Sequence, residues 1–64
     1  MRIRINGHER DVAARTLAAL LEELEYGELV ATALNRDFVR AKDRVETLLR
    51  ENDSVEIVAP KQGG

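Results

Sequence analysis

The 64-residue sequence has no cysteine. This excludes disulfides, thiolate metal sites and persulfide chemistry on the chain's own side chains. Aromatics are nearly absent: Tyr26 and Phe38 are the only two, so the core must be built from Leu, Val, Ile and Ala. The single histidine, His8, flanks a predicted turn and reads as a strand residue. The single serine, Ser54, opens a strand with no second base in view. No glycine-rich phosphate loop is present, and no His or carboxylate cluster has metal-ligand spacing. The chain is therefore expected to bind no nucleotide, cofactor or metal itself and not to be an enzyme alone. Its 10 basic and 12 acidic side chains are interspersed and give a net charge of −2. That is not the basic footprint of nucleic-acid binding. No apolar run is long enough to span a bilayer or to serve as a signal peptide. The expectation is a soluble cytoplasmic monomer of one domain, small enough to bury only about 60% of its unfolded surface.

Several local patterns stand out. Asn6-Gly7 suits a two-residue hairpin turn, in which both positions need positive φ. The register that follows pairs Ile5 with His8, Ile3 with Arg10 and Met1 with Val12. It also sets Arg4 opposite Glu9 and Arg2 opposite Asp11, two opposite-charge pairs on the face away from the isoleucines. Each such pair adds a few tenths to about 1 kcal/mol, and a one-residue slip would turn Ile3 and Ile5 outward.

A helix is predicted over 16–26, because Leu17, Leu20, Leu21 and Leu24 form an i, i+3, i+4, i+7 stripe. Thr16 is its expected N-cap, and Gly27 its expected left-handed C′ residue. Glu22, Glu23 and Glu25 lie off the stripe and read as a solvated face. A strand is predicted over 29–34, with Val30, Thr32 and Leu34 on one side and Ala31 and Ala33 on the other. With both sides fairly apolar, it reads as a central strand. After a turn at Asn35-Arg36-Asp37, Phe38-Val39 makes a short return strand. Residues 41–50 suit a short helix or 3₁₀ turn, with Val45, Leu48 and Leu49 closing one end of the core. Asn52-Asp53 is a turn, and the last strand covers 54–59, with Val55, Ile57 and Ala59 opposite Glu56 and Val58. Pro60 cannot donate to a ladder and stops the pairing.

One main helix without βα alternation predicts an α+β domain, a mixed sheet packed on that helix. The first and last strands are expected side by side and parallel at its centre. The domain would occupy 1–60 and a flexible tail 61–64, ending in Gly63-Gly64. At an average glycine frequency near 7%, such a doublet falls at the terminus of about one chain in 200 by chance. Its chemistry is more specific than its statistics. A terminal carboxylate is ionised at neutral pH, and two residues without Cβ let it thread into another protein's active site.

These features together resemble the ThiS-like sulfur carrier proteins of thiamine biosynthesis, which have the ubiquitin-like β-grasp fold. The resemblance covers essentially the whole chain. It rests on the Asn6-Gly7 hairpin, Thr16-Leu17-Ala18-Ala19-Leu20-Leu21, Ala33-Leu34-Asn35 with Phe38-Val39, the segment from Glu51 to Val58, and Gly63-Gly64. Asn52-Asp53 stands where the family commonly has Gly-Asp, and Asn is the next best residue for a left-handed conformation. The resemblance implies that a ubiquitin-activating-type adenylating enzyme uses ATP and Mg²⁺ to activate the Gly64 carboxylate. Sulfur from a cysteine desulfurase then makes a thiocarboxylate, which thiazole synthase consumes. Gly64 would be the acceptor and Gly63 the access residue. Phe38 and Val58, with Lys61 and Gln62, would dock partners. A sulfur carrier of molybdopterin synthesis, a ubiquitin-like modifier and a plain interaction module are the competing readings.

Overall fold

The computed structural model describes residues 1–60; the expected tail, with Lys61, Gln62, Gly63 and Gly64, lies outside the described residues. Strands β1 (Arg2–Ile5) and β2 (His8–Asp11) form the first hairpin, followed by helix α1 (Leu17–Glu23). Strands β3 (Ala31–Leu34) and β4 (Asp37–Val39) form a second hairpin, then come a 3₁₀ helix (Ala41–Glu46) and β5 (Ser54–Val58). The five strands lie in the order β2-β1-β5-β3-β4. The β1–β5 pair is parallel and all the others are antiparallel. This is the expected α+β architecture: β1 and β5 lie side by side and parallel, β5 is the middle strand, and β3 is an interior strand paired on both edges.

The first hairpin has the register read from Asn6-Gly7: Arg2 faces Asp11, Ile3 Arg10, Arg4 Glu9 and Ile5 His8. Asn6 and Gly7 both adopt positive φ, 51° and 86°. Met1 and Val12 extend the ladder, exchanging N–H···O bonds of 2.8 and 2.9 Å. The second hairpin turns the same way without a glycine, on Asn35 (φ 50°) and Arg36 (φ 75°). Asn52 is also left-handed, at φ 72°, as its place in the turn before β5 requires.

Both hairpin asparagines clamp β5 with their side chains. Asn6 acts as a detached peptide unit: its Oδ1 accepts from the Ile57 N–H at 2.9 Å and its Nδ2 donates to the Ile57 carbonyl at 3.1 Å. Asn35 does the same at the start of the strand, where its Oδ1 accepts from the Ser54 N–H at 2.9 Å. Its Nδ2 donates to Asp53 Oδ1 at 3.1 Å. The central strand is thus gripped near each end by a turn residue from a different hairpin.

Helix α1 lays Leu17, Leu20 and Leu21 against Ile3, Ile5, Val55 and Ile57, with Leu24 partly buried at the edge. Each fully buried side chain of this size contributes about 1.5–3 kcal/mol. Thr16 is the N-cap, its Oγ1 accepting from the Ala19 N–H at 3.1 Å. The helix ends sooner than the leucine spacing suggests, with Leu24 as C-cap. The Tyr26 N–H donates to the Leu21 carbonyl (2.8 Å) and the Glu25 N–H to the Glu22 carbonyl (3.1 Å). That is a Schellman motif, and its left-handed C′ residue is Glu25 at φ 63°, not Gly27. Glu23 is not simply solvated either. Its carboxylate accepts from the Ala13 and Ala14 N–H groups at 2.9–3.2 Å and ties the β2–α1 connection to the helix.

The segment 41–50 departs most from expectation. It forms a 3₁₀ helix, in which residues three apart eclipse one another. The inward position therefore falls to Arg44, only 6% exposed, while Val45 and Leu48 face outward and Leu49 alone joins the core. Arg44 Nε donates to Thr32 Oγ1 (3.1 Å), which in turn donates to the Val39 carbonyl (2.9 Å). The guanidinium also donates to the Val30 carbonyl and, at 3.5 Å, to that of Glu28. One planar fork thereby links the 3₁₀ helix, the α1–β3 loop, β3 and, through Thr32, β4. Among the described residues no carboxylate pairs with it.

Two stability predictions follow from these backbone and side-chain features. Glu25→Gly and Arg36→Gly relieve non-glycine left-handed residues, which cost about 1–2 kcal/mol, partly offset by glycine's extra unfolded-state entropy. Each should raise stability by up to about 1 kcal/mol, or about 4–8 °C in Tm, read by thermal denaturation. Arg44→Lys keeps the charge but loses the fork. The unpaired carbonyls and hydroxyl should cost about 1–3 kcal/mol, measured by urea unfolding; an unchanged midpoint would show that the network contributes nothing.

Candidate functional site

The sheet has one face under the helix and one open. Cross-strand partners share a face, so the registers Ala33–Phe38, Ala33–Glu56 and Ala31–Val58 put Phe38, Glu56 and Val58 together on the open side. Phe38 is 70% exposed and Val58 64%. The strand between them contributes only Ala31 and Ala33 to this face, so nothing tall screens the two larger side chains. Phe38 and Val58 are thus surface residues, not core or sheet packing.

The other half of the open face is charged. Arg2 contacts Asp11 at 3.1 Å and Glu9 at 3.6 Å, and Arg4 contacts Glu9 at 3.7 Å, all with exposed side chains. The hydrogen bond from Arg2, and then its charge, hold the Asp11 carboxyl below the usual carboxylate range. The face is therefore divided, ion-paired on β1–β2 and apolar on β3–β4 with the outward side of Val58.

The root of the tail is set by β5. Arg4 and Asn6 N–H groups donate to the Asp53 and Val55 carbonyls at 2.8 and 2.9 Å. On the opposite side β3 pairs along the strand from Leu34–Val55 to Ala31–Val58. Val55 and Ile57 are buried, and the chain leaves the sheet at exposed Ala59 and Pro60. Of the site residues read from the sequence, the structure brings Phe38 and Val58 onto one face. Gly64, Gly63, Lys61 and Gln62 lie outside the described residues.

His8 is exposed on the edge strand β2 and Ser54 opens β5, with β1 lying between the two strands. Among the described residues no three His, Cys, Asp or Glu side chains could hold a metal ion. Sequence reasoning missed the surface of the α1–β3 loop, because it assigned Leu29 to the following strand. The strand begins at Ala31, and Leu29 stands 81% exposed outside it. The alternation that points Val30, Thr32 and Leu34 inward already sets Leu29 apart from them.

No curated protein matches the sequence significantly. Among solved structures, the crystal structure of the thiamine biosynthesis protein ThiS from Geobacter metallireducens matches with a TM-score of 0.85 at 25% identity, over 100% of both chains. A solution structure of a thiamine biosynthesis protein from the same organism matches with a TM-score of 0.84 at 25% identity, over 100% of this chain and 88% of that one. The model of the ThiS family matches residues 3–64, nearly the whole sequence. With the mixed sheet, its single main helix and this match in agreement, the chain belongs to the ThiS family and is a ThiS-like sulfur carrier of β-grasp fold.

Proposed function

We propose that the chain carries sulfur on the carboxyl group of Gly64 for synthesis of the thiamine thiazole. A ubiquitin-activating-type enzyme, using ATP and Mg²⁺, joins the Gly64 carboxylate to AMP and releases pyrophosphate. The terminal sulfur of a persulfide supplied by a cysteine desulfurase attacks the acyl carbon and expels AMP. Electron balance then requires a thiol to reduce the acyl disulfide, freeing the Gly64 thiocarboxylate. Thiazole synthase takes this sulfur. Gly63 lets the terminus enter each active site, because it has no Cβ to narrow the approach. The carrier itself binds no cofactor, and the setting is cytoplasmic.

The observation that carries this reading is the family match that runs through Gly64, six residues beyond the end of the central strand at Val58. The lack of cysteine supports it, since no side chain can hold a persulfide. Phe38 and Val58 serve as the docking patch, with Lys61 and Gln62 adjoining the tail. They offer apolar surface beside the strand that leads to the terminus, and the ion-paired half of the face frames them.

Incubation with ATP, the adenylating enzyme, a cysteine desulfurase and cysteine should change the intact mass by one oxygen-to-sulfur exchange. No change, with the partners active on another carrier, would overturn the reading. Deleting Gly64 should leave Tm unaltered and abolish adenylation. Rescue of a gene deletion by thiazole rather than by molybdopterin identifies the pathway. Phe38→Ser and Val58→Ser should each weaken partner binding by more than about 1 kcal/mol, as at the centre of an interface. Their stability should stay within about 0.5 kcal/mol of wild type, as at exposed sites. Calorimetric titration and thermal denaturation separate the two effects.

A further inference from the structure

The loop that the buried arginine of the 3₁₀ helix holds carries a second surface, at the root of the tail. The loop that follows the Schellman motif meets the end of β5 and forms an open groove of about 410 Å³. Its walls are Tyr26, Leu29, Ala59 and Pro60, and its rim carries Glu25 and Glu28. Leu29 is the most exposed large apolar side chain among the described residues, at 81%. No Lys or Arg lines the groove among the described residues. The far end of the domain has the reverse character: there a separate groove is bordered by Arg15 and Arg50 beside Leu48 and Met1.

The reach of the tail decides what must lie against this groove. Four residues, 61–64, follow Pro60, and fully extended they span at most about 13–14 Å. Any enzyme that activates Gly64 must bring its reacting centre within that distance of Pro60. Its surface at the mouth of the tail channel then borders the groove, of which Pro60 is itself a wall. An apolar floor with two carboxylates on the rim fits a long side chain with an apolar stem and a cationic head.

We propose that the Tyr26–Leu29–Pro60 groove, rimmed by Glu25 and Glu28, receives an arginine or lysine from the lip of the adenylating enzyme's tail channel. This contact rests on the carrier reading and is separate from the Phe38–Val58 patch. The carboxylates steer the approach and orient the domain about the axis of the tail, while Leu29 and Tyr26 hold the stem. Arg44 keeps the loop in place through its bonds to the Glu28 and Val30 carbonyls.

The test is carrier-dependent ATP–pyrophosphate exchange by the ubiquitin-activating-type enzyme of the same organism. Glu25→Lys combined with Glu28→Lys should raise the KM for the carrier about tenfold or more at low salt, with kcat little changed, because rim charges act chiefly on association. The wild-type KM should rise with ionic strength, and that of the double variant should not. Leu29→Ser should raise KM at all salt concentrations. Arg15→Gln with Arg50→Gln, at the opposite end, should leave KM unaltered. Circular dichroism of every variant should superpose on that of wild type. Exchange by wild type with an unchanged KM for the loop variants would overturn this inference alone. So would a loop variant that alters only self-association by sedimentation or only binding to thiazole synthase. No exchange with the wild-type chain would overturn the carrier reading, and this contact with it.

Discussion

The structure depends on the insertion of β5 between β1 and β3. That strand is last in the chain, yet it supplies the parallel partner of the first hairpin and the antiparallel partner of the second. Until it is in place, neither hairpin has a complete hydrophobic face for α1. Its register also determines what the surface presents, because the period of two that buries Val55 and Ile57 turns Glu56 and Val58 outward. Asn6 and Asn35 enforce that register with side-chain bonds to the strand's own backbone. They do so from turns whose left-handed geometry already calls for asparagine, so two demands on the backbone are met by one residue type.

What could be read from the sequence was what local chemistry decides. Asn6-Gly7 sets a two-residue turn and hence a register, and the leucine spacing from 17 to 24 sets a helix face. The apolar alternation of Ile3–Ile5 and Val55–Ile57 suits adjacent central strands. What could not be read depends on distant partners. Gly27 is the obvious helix terminator, but the stop comes at Glu25, where the Leu21 and Glu22 carbonyls take up the Tyr26 and Glu25 N–H groups. Glu23 looks solvated until the β2–α1 connection brings two free N–H groups to it. In 41–50, spacing on a period of 3.6 selects Val45, whereas the tighter 3₁₀ turn selects Arg44. An arginine inside a core of this size is recognisable only once the Val30 carbonyl and Thr32 hydroxyl are seen to receive it.

The candidate site was legible in a different way. The terminal glycines are a chemical signal independent of the fold, while Phe38 and Val58 depended on strand alternation to become surface residues. The fold adds their common face and the division of that face into apolar and ion-paired halves. It also adds the acidic, apolar groove beside Pro60, which arises because a loop from the middle of the sequence meets its last strand. No spacing within 25–30 reports that meeting.

The two-sided pairing of β5 has a mechanical consequence. A chain continuing from the end of this strand pulls along the strand axis, parallel to its neighbours on either side. Such a load is shared in shear across both ladders at once, rather than peeling hydrogen bonds one by one from an edge. On the proposed function, the domain would be drawn by its terminus into an enzyme and withdrawn again with its core shut, the pull falling on a strand paired on both sides.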